Sequence, residues 1–209
     1  MSHADVDAYF KEIPVWMQAD INREIQLAML SGNPATALQL AGLGLAGGGN
    51  LLAALGLVSY TETLGLIRRW NRRKGVYPKT EECFLAFFDE MHAPAYRDWR
   101  RDWESRHRET TLYETLRCGL VHEYTPKVDS AVYISPGDPL GLDEENAVLI
   151  FKVEPYFRHF GEEIKRLYTE LSGMVDPEIP PPKIKKSQTA IPNRSPSPPT
   201  GNPSVRRSS

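Results

Sequence analysis

Apolar side chains return every three or four positions through much of the chain, which is the spacing of helices that bury one stripe. Phe84, Leu85, Phe87 and Phe88 form such a stripe within residues 80–91, and Thr80 is the expected N-cap. After Pro94, Tyr96, Trp99 and Trp103 mark a second helix over 95–108. Leu112, Leu116 and Leu120, four apart, predict a third over 110–121. Phe157, Phe160, Ile164, Leu167 and Leu171 predict a fourth over 154–172, stopped by Gly173.

Earlier in the chain the punctuation is heavier. Residues 5–11 suit a short helix broken at Pro14, and Ile21, Ile25 and Ala28 suit another over 20–30. That second helix should stop at Ser31-Gly32-Asn33-Pro34, and Pro34 fits the first position of the next one. Residues 35–61 carry no charge at all, a length that a membrane span requires. Gly47-Gly48-Gly49-Asn50 interrupts the run, and Thr36, Gln39 and Ser59 dilute it. Two buried helices, 35–46 and 51–70, are therefore expected in place of a span, with Leu52, Leu55, Val58 and Leu66 facing inward.

The period changes after Pro126. Short β-prone runs at 131–134 and 147–151 flank a stretch rich in proline and glycine. They predict a two-stranded antiparallel hairpin at about 129–153, packed on the helices because a lone hairpin is marginal. From Asp176 onward nine of the 17 prolines fall among serines and basic residues, a composition expected to stay disordered. The fold class is mainly α: an antiparallel helix bundle with a small hairpin over residues 1–175, then a tail over 176–209.

Composition adds limits. The 209 residues are 41% apolar and 25% charged, enough to bury a core without a metal or disulfide. Net charge is -2, but the tail carries +4 and leaves -6 on the body, so RNA contact would need local basic patches. Cys83 and Cys118 form no paired motif, which fits a reducing compartment. The N-terminus lacks a signal-peptide profile, and cytoplasm is the expected location. No glycine-rich nucleotide loop and no His and carboxylate constellation for a metal stand out, so no cofactor is expected.

Several charged stretches have ordinary readings. The cations in Arg68-Arg69-Trp70-Asn71-Arg72-Arg73-Lys74 suit a helix C-terminus, with a phosphate-binding rim as the alternative. The Arg and acid mixture over 97–106 reads as a salt-bridged face, with RNA stacking on its aromatics as the alternative. Arg117 and His122 are the pair with chemistry. Five apart on an α-helix they point about 140° apart and would flank a groove, unless a turn near Gly119 swings His122 closer. An imidazole there can take the proton of a ribose 2′-hydroxyl while a guanidinium holds the charge growing on the phosphate. Two copies across a two-fold axis would supply base and acid together. Cys118 and His122, four apart, are also spaced as a thiol–imidazole pair.

The stretch Leu116-Arg117-Cys118-Gly119-Leu120-Val121-His122-Glu123-Tyr124 resembles the signature of HEPN domains, helical bundles that commonly dimerise and include many metal-independent ribonucleases. The match is Arg-x4-His-x-Tyr, the form seen in toxins paired with nucleotidyltransferase antitoxins. The resemblance implies a phosphate-binding role for Arg117, a base role for His122 and AMP attachment at Tyr124. It also makes the helix containing Ala53 to Glu62 the one packed beside the signature. Active members usually carry a polar residue directly after the Arg, where this chain has Cys118. Glu62, the only acidic residue between Ala35 and Glu81, is the expected partner that orients Arg117. The same ion pair would equally serve packing alone, with His122 bonded to a helix-end carbonyl and Tyr124 at the core edge. Two functions follow: an RNA-binding or RNA-cleaving protein of toxin or defence type, or an inert module that docks a protein partner.

Overall fold

Seven helices and one small sheet make up the described residues, which in the computed structural model are 3–42, 49–72, 78–123, 129–134 and 137–173. In chain order they are α1 (His3–Ser31), α2 (Pro34–Gly42), α3 (Gly49–Arg72), α4 (Thr80–Phe88), α5 (Ala95–Arg106) and a π-helix (Tyr113–Glu123). Then come β1 (Ser130–Tyr133), β2 (Leu142–Glu145), β3 (Val148–Lys152) and α6 (Val153–Gly173). The mainly helical class holds. Tyr124 and the tail over 176–209 lie outside the described residues.

The N-terminal expectation needs correcting. Pro14 does not break the chain into two helices; α1 runs straight through it for 29 residues. A proline inside a helix removes one hydrogen bond and costs roughly 3 kcal/mol. Here its ring is itself buried and continues the stripe Met17, Ile21 and Ile25. Burial of such side chains is worth about 1.5–3 kcal/mol each, so the stripe outweighs the lost bond. The next boundary behaves as its residues require. Pro34 opens α2, and the Asn33 side-chain oxygen accepts the Ala35 N–H at 2.9 Å as an N-cap.

α3 is the hub, in contact with α1, α4, α6 and the π-helix. Its buried face is Ala53, Ala54, Leu57, Val58, Thr61, Leu64 and Arg68. The expected face was shifted: Val58 is buried, but Leu55 and Leu66 are half-buried and Leu52 is exposed. Small residues won over large ones because they let neighbouring backbones approach. Gly65 is the sharpest case, since a Cβ there would lie 1.7 Å from the Cys83 carbonyl oxygen of α4. The segment Asn50–Arg69 is the one candidate among the described residues that is long and apolar enough to cross a membrane, with mean hydropathy 1.3. It carries Glu62 and Arg68, both held in ion pairs.

The aromatic residues fill the space between α4, α5 and α6. Phe84, Phe87, Phe88, Tyr96, Trp103, Tyr156 and Phe160 are all fully buried. Phe88 meets Tyr96 edge-on at 5.2 Å, and Tyr96 meets Tyr156 the same way at 5.7 Å, an arrangement that aromatic quadrupoles favour. Thr80 begins α4 without capping it; Lys79 occupies the N-cap position.

The two-stranded hairpin is also corrected. The sheet has three strands in the order β1-β3-β2. β1 pairs with β3 in parallel, Ser130 against Leu149, whereas β2 is the antiparallel partner, Leu142 against Phe151. Asn146 and Ala147 turn the hairpin with φ of 52° and 63°, the left-handed geometry that tight two-residue turns need. β2 reads Leu-Asp-Glu-Glu, an acidic edge strand that apolar periodicity does not reveal.

Candidate functional site

The site begins with a start signal for the π-helix. Thr111 and Glu114 form a reciprocal capping box: the Thr111 hydroxyl accepts the Glu114 N–H, and the Glu114 carboxylate accepts the Thr111 N–H, both at 3.2 Å. Glu104 of α5 accepts the Leu112 N–H at 3.0 Å. Leu112, Leu116 and Leu120 are fully buried and hold the segment against the core. The opposite side carries the polar residues.

The π-helix changes the geometry expected of Arg117 and His122. Its hydrogen bonds run from i to i+5, so residues five apart lie about one turn apart on the same face. The two side chains therefore meet without a chain break at Gly119. Arg117 Nη1 lies 3.3 Å from His122 Nε2. A guanidinium only donates, so Nε2 is the acceptor and the neutral ring carries its proton on Nδ1.

Glu62 of α3 grips the other side of the guanidinium. Arg117 Nε is 2.5 Å from Glu62 Oε2, and Nη2 donates to Oε1 at 3.2 Å. The Nε contact is an ion pair, not an aligned hydrogen bond. Tyr113 adds its hydroxyl, donating to Glu62 Oε2 at 3.3 Å. Burial is the largest cause that pushes the Tyr113 hydroxyl above its ordinary value, so it remains a donor. Arg117 and Glu62 are each less than one-fifth exposed, while His122 is exposed. The result is a half-sheltered ion pair with an imidazole at its mouth.

Four of the five singled-out residues are placed by the structure. Glu62, Arg117 and His122 come together; Cys118 is half-buried and packs against the apolar core; Tyr124 lies outside the described residues. Tyr113 was missed. Its signal was available, since it lies four residues before Arg117 in the same helical segment. Across the site in α4, burial followed by the charge of Glu62 pushes the Cys83 thiol up.

The other basic candidates are engaged elsewhere. Arg68 is only 1% exposed and pairs with Glu163 at 2.5 Å, and Arg69 pairs with Glu82. Neither stands on an open phosphate-binding rim; Arg72, Arg73 and Lys74 have no described side chains. Arg100 forks onto Asp89 with two bonds of 2.8 Å and also reaches Glu104. His107 stacks on Trp103 at 4.4 Å and meets Glu144 at 2.7 Å. The face over 97–106 is laced with ion pairs. Comparison of the chain with family models, curated proteins and solved structures returned no match.

Proposed function

We propose that this is a HEPN-like protein, an antiparallel helical bundle that binds RNA and cleaves it without a metal at the Arg117–His122 pair. The observation that carries this reading is the 3.3 Å approach of a guanidinium to an exposed imidazole. Both groups that a phosphodiester needs are on one solvent-reachable face.

On this reading the substrate phosphate takes Arg117 Nη1 away from His122, and the freed Nε2 takes the proton of a ribose 2′-hydroxyl. The 2′-oxygen then bonds to phosphorus, and the bond from phosphorus to the 5′-oxygen breaks. Arg117 holds the charge on the phosphoryl oxygens, and Glu62 with Tyr113 keeps the guanidinium aimed. The departing 5′-oxygen needs a proton, which the same imidazole in a second copy would give. A homodimer is therefore part of the proposal. So is the toxin setting, in which a nucleotidyltransferase antitoxin would modify Tyr124.

The second reading is an inert module that docks a protein partner, and one observation favours it. The charge of Arg117 is already met by Glu62, and Cys118 stands where active relatives have a polar residue. One assay separates the two. Purified protein is incubated with a structured RNA at neutral pH in a chelator, beside His122→Ala. Since His122 is exposed, the variant should unfold within about 1 kcal/mol of the parent and lose about 100-fold or more in cleavage rate. An RNA left intact by the parent protein at high concentration would transfer the assignment to the inert module.

A further inference from the structure

A second polar cluster lies where the α4–α5 connection meets α6, and it shares no residue with the Arg117 site. His92 of the connection and His159 and Glu162 of α6 each offer one ligand atom, all within 4.8 Å of one another. Sequence reading found no such constellation because 67 positions separate the two histidines; the fold assembles it. We propose that His92, His159 and Glu162 form a binding site for a divalent metal ion of the zinc class.

The donor set fits. Two imidazole nitrogens and one carboxylate oxygen are ligands that zinc takes, leaving a further position for water. Imidazole also suits nickel, cobalt and iron(II). His159 and Glu162, three apart on one helix, project from the same face. The two imidazoles stack, with centroids 4.2 Å apart and planes 12° apart, so His92 must turn out of the stack to aim a nitrogen at a shared ion. His92 and Glu162 are exposed, so both are free to swing the short distance that coordination requires.

His159 is built as a ligand is expected to be. It is 3% exposed, and its Nδ1 lies 3.1 Å from the Tyr96 hydroxyl. That oxygen accepts the Gly141 N–H at 2.9 Å, so the Tyr96 position is itself fixed. An outer partner on one ring nitrogen orients the imidazole and leaves the other for the ion. A hydroxyl both donates and accepts, so it serves the tautomer that coordination selects. Burial first, then the neighbouring His92 and Arg158, hold the His159 imidazole down to about 4. Arg158 directs Nη2 to the Asp138 carbonyl at 3.1 Å. His92 has φ of 41°, a backbone conformation uncommon outside glycine. A bound ion would tie the 89–94 connection to α6.

The test uses the full chain, stripped with chelator and titrated with Zn2+ or Co2+ alone. One equivalent should bind, the melting temperature should rise, and Co2+ should give visible absorption without a near-ultraviolet thiolate band. His92→Ala and Glu162→Gln, both at exposed positions, should fold normally and weaken Zn2+ binding by more than about tenfold. Three outcomes overturn the site: no binding by the parent chain, equal binding in both variants, or a cobalt spectrum showing cysteine ligation.

Discussion

Two of the arginine–carboxylate pairs that α3 helps to form have different fates. Arg68, near its C-terminal end, reaches Glu163 of α6 with both side chains sealed, at 1% and 2% exposure. Arg68 also donates to the Ala86 carbonyl at 3.0 Å and lies 3.2 Å from Glu170, and Arg166 closes on Glu163 at 2.9 Å, so the pair is enclosed by protein, with only Arg68 Nε left without a hydrogen-bond partner. Glu62, less than two turns away, holds Arg117 with both side chains partly open and an exposed imidazole beside them. The same chemistry fastens helices in one place and presents a charge to solvent in the other. Burial, not residue type, separates a clamp from a site.

Breaking the clamp should have the largest effect. Arg68→Met leaves Glu163 buried without its main partner, a loss of about 3–5 kcal/mol by urea denaturation. Burial already pushes the Glu163 carboxyl up, against the pull of Arg68. Adding Glu163→Leu to that variant should recover much of the loss; a double variant as unstable as the single one would contradict the clamp. Between the two pairs lies Gly65. Gly65→Ala places a methyl against the Cys83 carbonyl, separates α3 from α4, and should cost about 3 kcal/mol.

The open pair should respond in the reverse sense. Glu62→Gln keeps the shape and removes one charge from a site that solvent still reaches at His122, so the stability loss should stay near 1 kcal/mol. Under the proposed RNA-cleaving function, the rate should nevertheless fall by about tenfold, because the guanidinium loses its aim. A stability loss as large as that of Arg68→Met would erase the distinction between the two pairs.

The smallest effect concerns acid. Burial alone would raise the Glu144 carboxyl, but hydrogen bonds from Arg106 and His107 outweigh it and hold the group below its ordinary 4.5. Near that pH the unfolded chain then binds more protons than the native one, so stability rises with pH there. The contribution is present above about pH 4.5 and lost as pH falls through the lower native value. Urea midpoints of the parent and Glu144→Gln should converge below that window and separate above it.

Much of this was legible in the sequence where one residue set had one strong job. The stripes of α4, α5 and α6 mark helices because Phe84, Trp103, Leu167 and their neighbours are large and evenly spaced. The Glu62–Arg117 partnership could be named because Glu62 is alone in a long uncharged run. Other features were hidden for physical reasons. A shift from i+4 to i+5 bonding leaves composition unchanged, so the sequence offered the meeting of Arg117 with His122 only through a turn near Gly119, and the winding that produces it was not visible. β2 is acidic because it is an edge, and α1 passes Pro14 because tertiary burial repays what local propensity forbids. Side chains far apart in sequence, such as His92 and His159, are joined only by the tertiary fold.

The wide winding of residues 113–123 has one more consequence. It stores slack: each turn holds more residues than ordinary helix would use to cover the same length. Wound as ordinary α-helix, the same residues would set Arg117 and His122, five apart, about 140° apart. The imidazole would then turn off the guanidinium's face, so the approach of the two groups depends on the wide winding itself.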